Sequence, residues 1–163
     1  MRTIRISKRK LVLLGLLAVA LIALVATFFG HKDAAVANAE DVQTAASHAI
    51  VEALRFDHTE GQEAWSARVR PLCTEAGWSF WNLVGRQMWP QVMETEYTVQ
   101  DITVESASVL TTTETGATVE VRLQVSYEKS GQVTTENQVY QIVMAQQGDE
   151  WLMDAPPQGG GDQ

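Results

Sequence analysis

ATVEVRLQVSY, residues 117–127, alternates apolar and polar side chains along its whole length. In an extended strand such alternation places two sets of side chains on opposite faces. One set is apolar and comprises Ala117, Val119, Val121, Leu123, Val125 and Tyr127. The other is polar and comprises Thr118, Glu120, Arg122, Gln124 and Ser126. The pattern predicts an antiparallel strand with one buried face.

The sequence after this strand predicts two further strands. Residues 129–132, KSGQ, are typical of a hairpin turn, so residues 133–146 should return beside the first strand. Their inward set is either Tyr140, Ile142 and Met144, or Val139 and Val143. A second turn at 147–149 precedes a short final strand over 150–154.

The sequence before residue 117 predicts another strand with an irregular start. Segments 97–99 and 102–104 are rich in β-branched residues, but the alternation slips at Gln100–Asp101. A β-bulge there would restore the facing of the side chains. Residues 106–113 continue as strand or loop edge, and residues 114–116 form a turn.

Three helices are predicted upstream of the strands. An alanine-rich amphipathic helix covers 34–56, and a second covers about 60–69, with Thr59 and Gln62 as a capping box. A third begins after Thr74 as N-cap and ends at Pro90. The expected packing residues of the last two are Ala64, Trp65, Ala67 and Val69, then Trp78, Trp81, Val84 or Gly85, and Met88. The order predicts an α+β fold, with three helices packed on a curved antiparallel sheet of three to four strands.

Three tryptophans lie within twelve residues of the third helix, at Trp78, Trp81 and Trp89. They have two interpretations. They could cover the apolar face of the sheet, or they could form an aromatic surface that binds a partner. They are the candidate interaction face of this chain.

The N-terminal part of the chain predicts a membrane anchor. Residues 11–29, LVLLGLLAVALIALVATFF, carry no charge, and a helix of that length is about 28 Å long, close to the thickness of a bilayer core. Five Lys and Arg residues precede it, which predicts a cytoplasmic N-terminus. The predicted organisation is a tail (1–10), a transmembrane helix (11–29), a linker (30–38), an exported domain (39–155) and a disordered tail (156–163). The alternative is a signal peptide that is cleaved after Ala39.

Charge and cysteine content limit the functional classes. Beyond the basic tail the chain has a formal charge of −13, and such an acidic domain is not expected to bind nucleic acid directly. The single cysteine, Cys73, excludes an internal disulfide and is expected to be buried.

Three short segments resemble a known superfamily. They are ALRFD at 53–57, VRPLCT at 69–74 followed by a Trp78–Trp81 helix, and the closing GDEWLMD at 148–154. In this order, after an anchor, they resemble the nuclear-transport-factor-2-like superfamily, and in particular its bacterial single-pass members. The resemblance implies a cone-shaped α+β domain over about residues 40–155 and a position in the bacterial inner membrane.

Two subfamilies of that superfamily fit. The chain is most similar to the bitopic assembly factor of type IV secretion and conjugation systems, because Phe56–Asp57 and TEAGW at 74–78 resemble its motifs. The alternative is the Mce-associated membrane protein of lipid-import systems. The first resemblance implies contacts with envelope or secretion-complex proteins and self-association.

The sequence offers little for catalysis. Enzymes of this superfamily use an Asp, or an Asp–His pair, as general base inside the cone. Asp57–His58 is the adjacent pair here and is expected in an exposed turn, while Asp101 could point inward if the bulge turns it. We therefore predict a protein that is not an enzyme, with no catalytic, cofactor-binding or metal-binding residue and no cofactor. A small enzyme that uses the cone remains the further alternative.

Overall fold

The computed structural model describes residues 39–159. The predicted cytoplasmic tail, transmembrane helix and linker lie outside these residues. Within 39–159, none of the helices has the length and apolar character needed to cross a membrane. The elements are α1 (residues 39–54), α2 (Gln62–Val69), a 3₁₀ turn (Arg70–Leu72), α3 (Glu75–Glu94), β1 (Thr98–Thr112), β2 (Gly116–Lys129), β3 (Gln132–Gln147), β4 (Glu150–Met153) and β5 (Gln158–Gly159). The predicted α+β class with three helices is confirmed.

The strands form one antiparallel sheet in the order β1-β2-β3-β4, and β5 pairs with β3 beside β4. The predicted inward set of β2 is confirmed from Ala117 to Val125, where each side chain is at most 5% exposed. On β3, Ile142 and Met144 are buried opposite Val119 and Ala117, so the first of the two predicted facings is correct.

Strand β1 bends because it contains three bulges. Its pairing with β2 skips one residue between Val99 and Asp101, between Val104 and Ser106, and between Val109 and Thr111. The first skip is the predicted bulge. The inward residues of β1 are therefore spaced by three and two residues in turn: Val99, Ile102, Val104, Ala107, Val109 and Thr112. Each bulge adds one residue, which keeps the apolar set on one face and increases the local twist.

The helices cover that inward face. On α1 the residues that pack are small, since Ala46, Ala49 and Ala53 are 0–2% exposed beside Val42 and Ile50. Short side chains allow the helix backbone to approach its neighbours closely. These alanines, with the apolar residues of β2, belong to a single hydrophobic core.

The predicted start of α2 is wrong. The helix begins at Gln62 with Gly61 as N-cap, and no side chain caps it. The hydroxyl of Thr59 instead donates to Oδ1 of Asp57, 2.8 Å away, so Thr59 completes the preceding turn. Trp65 and Val69 are buried as predicted, whereas Ala64 and Ala67 are exposed.

The predicted end of α3 at Pro90 is also wrong, because the helix continues to Glu94. A proline inside a helix removes one backbone hydrogen bond. Trp89 and Val92, on either side of Pro90, are 7% and 1% exposed. Both side chains can be buried only if the helix continues through Pro90. The free energy gained by burying them is larger than the cost of the missing backbone hydrogen bond.

Two residues of the predicted disordered tail form a short strand. Gln158 and Gly159 form β5 opposite Gln141 and Tyr140, although two prolines precede them. Proline is tolerated at a sheet edge, where its missing N–H faces away from the ladder. Residues 160–163 lie outside the described residues.

Candidate interaction surfaces and polar clusters

The aromatic residues of α3 pack around a tryptophan of α2. Trp65 is fully buried, and its indole N–H donates to the carbonyl oxygen of Ala53, 3.1 Å away. Its ring lies 5.3 Å from Phe56, 6.0 Å from Trp89 and 6.4 Å from Trp78. Gly85 faces the same ring and leaves no room for a Cβ. This cluster joins α1, α2 and α3.

The three candidate tryptophans do not share one exposed surface. Trp81 and Trp89 are 3% and 7% exposed, and only Trp78 is half-buried. For Trp81 and Trp89 the core interpretation therefore applies, because buried rings cannot form a contact surface. The indole nitrogen of Trp81 is buried and has no hydrogen-bond partner among the described residues. Trp78 stays a candidate contact residue.

Other large apolar residues of α3 are individually exposed. Leu83 is 53% exposed, Met93 52% and Met88 38%. Met88 was expected in the buried stripe, but Trp89 occupies the core instead. Phe80 and Val84 are half-buried beside Leu83. The spacing of Phe80, Leu83 and Val84 was the signal in the sequence, but the stronger tryptophan pattern on the same helix obscured it.

The two outer edges of the sheet differ. β1 forms one edge, and its three bulges interrupt the regular spacing of backbone groups that another strand needs for pairing. On the opposite edge, β3 pairs with β4 and β5 from Tyr140 onward. Residues 132–139 of β3 pair with β2 without a register shift, and in the described part of the chain nothing pairs with their other side. This regular edge presents free backbone groups.

Asp57 and His58 form a structural turn. Oδ1 of Asp57 accepts hydrogen bonds of 2.8 Å from both the backbone N–H and the hydroxyl of Thr59. The first of these bonds is the main reason why the pKa of Asp57 lies below its usual value. Nδ1 of His58 hydrogen-bonds Oγ1 of Thr98 at 2.8 Å and lies 3.9 Å from Oδ1 of Asp57. Hydrogen bonds that stabilise the ionised carboxylate make it a weaker proton acceptor, and here they close the turn at Asp57–Thr59.

Asp101 does not lie on the inward face of the sheet. Its side chain is exposed and accepts a hydrogen bond of 3.1 Å from the hydroxyl of Thr103. The alternative in which Asp101 faces inward is wrong. Gln100 is the extra residue of the bulge, so the next inward-facing side chain after Val99 is that of Ile102. Asp101 lies opposite Ser126, on the polar face.

Cys73 is buried, as expected. It is 8% exposed, and its thiol donates to the carbonyl oxygen of Val69 at 3.4 Å. Burial raises the pKa of Cys73 to about 12, because the charged thiolate loses its hydration. The thiol is therefore protonated at neutral pH and is a weak nucleophile.

The three tyrosines of the chain lie near one another on the inward side of the sheet, and two of them are in contact. The rings of Tyr97 and Tyr127 lie 5.1 Å apart, tilted by 33°. The hydroxyl of Tyr127 donates to Oε1 of Glu136 at 2.8 Å, and that of Tyr140 donates to Oε1 of Gln138 at 2.7 Å. Sequence analysis missed this cluster, because the residues come from three segments that only the sheet register brings together.

A shallow cavity of about 240 Å³ lies near the β1–β2 turn. Four threonines, Thr111, Thr113, Thr115 and Thr118, contribute to its lining, and Asp154 reaches it from the end of β4. In residues 39–159 no group of three or more His, Cys, Asp or Glu side chains is placed to hold a metal ion.

Comparison with known proteins identifies the fold. No family model matches the sequence, and no curated protein matches it. Among solved structures, the chain is similar to an IcmL-like type IV secretion system protein from Legionella pneumophila, with a TM-score of 0.61 and 12% sequence identity. The match covers 74% of this chain and 92% of that one. The chain therefore has the fold of that secretion-system protein.

A second solved structure is described as an Ntf2 like protein involved in plasmid conjugation. Its TM-score is 0.43 and its identity 12%, and the match covers 69% of this chain and 44% of that one.

Proposed function

We propose that the chain is a non-enzymatic assembly component of a type IV secretion or conjugative transfer apparatus. Residues 11–29 anchor it in the bacterial inner membrane with the N-terminus in the cytoplasm. The exported domain contacts other envelope proteins and copies of itself. The observation that carries this proposal is the fold shared with the IcmL-like secretion-system protein over 92% of that protein.

The surfaces of the domain support a role in binding other proteins. Leu83 exposes about half of its side chain within one turn of the half-buried Phe80 and Val84, and contiguous apolar residues at a surface commonly mark contact sites. The regular edge of β3 at 132–139 can accept an additional strand. Trp78, half-buried at the margin of the aromatic cluster, adds a third contact candidate.

The chemistry of the described residues also favours binding over catalysis. The Asp57 carboxylate already accepts two hydrogen bonds, and the Cys73 thiol is buried and protonated. The Cys73 thiol is therefore a weak nucleophile, and the hydrogen bonds to Asp57 close a turn.

Complementation of a deletion strain tests the proposal. Deletion of the chain should abolish secretion or DNA transfer, and the wild-type chain should restore it. Asp57→Ala should also restore transfer, whereas Leu83→Glu should fail although it folds, since Leu83 is already exposed. If transfer persists without the chain, the proposal is wrong. If Asp57→Ala folds but fails to restore transfer, an enzymatic role gains support.

A further inference from the structure

The tyrosine cluster on the inward face of the sheet has an unusual composition for a packed core. Tyr97, Tyr127 and Tyr140 are each half-buried, and Glu136 is exposed beside them. On β3, Glu136, Gln138 and Tyr140 alternate along the inward face, opposite Val125, Leu123 and Val121 of β2. The apolar inward face thus becomes aromatic and polar toward the β2–β3 turn.

The cluster lies where the sheet meets the end of α3. The backbone N–H of Ser130, at the β2–β3 turn, donates to the carbonyl oxygen of Thr95 at 2.8 Å. The N–H of Tyr97 donates to the carbonyl oxygen of Val92 at 2.9 Å. These two bonds hold Tyr97 against Tyr127, so the aromatic pair is positioned by backbone contacts on both sides.

The carboxylate in this cluster has no cationic partner of its own. Among residues 39–159, Glu136 forms no ion pair. Tyr127 donates to Oε1 of Glu136, which leaves Oε2 able to accept from another donor. A carboxylate next to aromatic rings attracts a cation in two ways, by charge and by the negative faces of the rings.

The net negative charge of the domain also attracts cations. Residues 39–159 contain eighteen Asp and Glu but six Lys and Arg, which leaves a formal charge of −12. The pKa of Tyr97 is raised to about 12 by burial and by the nearby Tyr127, Glu136 and Tyr140. Burial is the largest of these causes, and among the neighbours Glu136 supplies the negative charge that attracts a cation.

We propose that Tyr97, Tyr127, Tyr140 and Glu136 form a binding site for an organic monocation on an alkyl stem, either a primary ammonium or a guanidinium. The cationic head group lies against the tyrosine rings and donates to Oε2 of Glu136, and the carboxamide of Gln138 borders the site. The ligand is a free amine or a Lys or Arg side chain of a bound protein. This inference is independent of the proposed function.

Nuclear magnetic resonance of the full chain with isotope-labelled tyrosine tests the site. Because the chain contains three tyrosines, every labelled ring reports on this cluster. We expect n-butylammonium and n-butylguanidinium to shift the ring signals of Tyr97 and Tyr127 in a saturable way. The neutral isostere n-butanol should shift them little at the same concentration, since it has no charge to interact with the rings or with Glu136.

Two matched variants separate the site from general charge effects. Glu136→Gln keeps an acceptor for Tyr127 but removes the charge, and it should weaken ammonium binding about tenfold, as loss of a close charge pair does. Glu128→Gln removes the same charge from the opposite face of the same hairpin and should change affinity less than about twofold, because that side chain cannot donate or accept at the site. Equal shifts with butanol, or equal effects of the two variants, would overturn the proposal.

Short peptides distinguish the two sources of the cation. If the site takes protein side chains, an acetylated and amidated Gly-Lys-Gly peptide should shift the same signals as butylammonium, and its norleucine analogue should not. If only the free amines bind, the ligand is a small molecule. If neither the amines nor the lysine peptide shifts the signals, the site does not exist.

Discussion

The hydroxyl of Thr74 donates a hydrogen bond of 2.7 Å to Oδ1 of Asp154, eighty residues further along the chain. The same hydroxyl oxygen accepts from the backbone N–H of Gly77 at 3.1 Å, so Thr74 caps α3 as predicted. The backbone N–H of Thr74 donates to the carbonyl oxygen of Met153. One buried residue thus connects the start of the third helix to the end of β4.

Replacement of Thr74 should destabilise the domain at this junction. Thr74→Val keeps the volume but removes both side-chain hydrogen bonds, and we expect the free energy of unfolding to fall by about 2 kcal/mol. Thr74→Ser keeps the hydroxyl and should lose less than half as much. Urea denaturation of the full chain measures both. Equal losses in the two variants would show that the hydroxyl does not stabilise this junction.

A methyl group at Gly77 should be more damaging than one at Gly85. A Cβ at Gly77 would overlap the backbone carbonyl of Met153, which cannot move without disturbing β4. At Gly85 the nearest atom is 2.5 Å away in the ring of Trp65, so the added Cβ would disturb side-chain packing rather than the backbone of a strand. We expect Gly77→Ala to cost about 3 kcal/mol or more and Gly85→Ala about 1 to 2 kcal/mol.

Unfolding of the full chain in urea tests this order, and Ala76→Gly, at an exposed position of the same helix, provides the control for helix propensity. A larger loss for Gly85→Ala than for Gly77→Ala would contradict the described packing of α3 on β4.

The bulges of β1 predict that two single-residue deletions lower the free energy of unfolding by different amounts. Deletion of Glu105 removes an extra residue and keeps Val104 and Ala107 on the inward face, so it should cost about 1 kcal/mol or less. Deletion of Thr103 places Ile102 next to Val104, and one of the two must then face outward. We expect a larger cost, of about 1 to 2 kcal/mol, because Ile102 is half-buried and Val104 is 39% exposed. Similar losses of unfolding free energy for the two deletions would argue against the bulged register.

Stability should fall at high pH because of Tyr97. Its pKa is about 12 in the folded chain and near 10.0 when unperturbed, so the unfolded chain loses the proton first as the pH rises. The contribution of Tyr97 to stability is fully present below pH 10 and is lost as the pH rises through about 12. Tyr97→Phe should therefore show a smaller decrease in unfolding free energy between about pH 8 and pH 11 than the parent chain.

Both chains in that comparison should carry Cys73→Ala, because the buried thiol has a raised pKa and would contribute in the same pH range. If the two chains lost stability in parallel between these pH values, Tyr97 would not have the raised pKa that its surroundings imply.

Local patterns in the sequence predicted much of the sheet. The alternation of β2 and the slip at Gln100–Asp101 gave the facing of the central strand and the first bulge of β1. The later bulges follow the same spacing of three and two residues, from Val104 to Ala107 and from Val109 to Thr112. The later bulges were missed because the inward-facing residues of β1 recur on average every two and a half residues. This interval matches neither the helical period nor the period of a regular strand.

The surface of α3 was harder to predict. Met88 and Trp89 are adjacent, and either could face the core; only the position of Trp65 on α2 decides in favour of Trp89. The tyrosine cluster has a similar origin, because Tyr97 and Tyr127 are thirty residues apart in sequence and meet through the register of β1 and β2. Contacts of this kind depend on tertiary packing rather than on local sequence.

The central claim is that the exported domain binds components of a transfer apparatus, and site-specific photocrosslinking in intact membranes tests it most directly. A photoreactive amino acid at Leu83, which is 53% exposed, is compared with one at Glu63, an exposed residue of α2. After purification through the N-terminal tail, mass spectrometry identifies the crosslinked proteins. We predict that Leu83, and not Glu63, crosslinks to channel or ATPase subunits of a secretion or conjugation system. Crosslinks to a lipid-import permease and its binding proteins, or no product specific to Leu83, would contradict the claim.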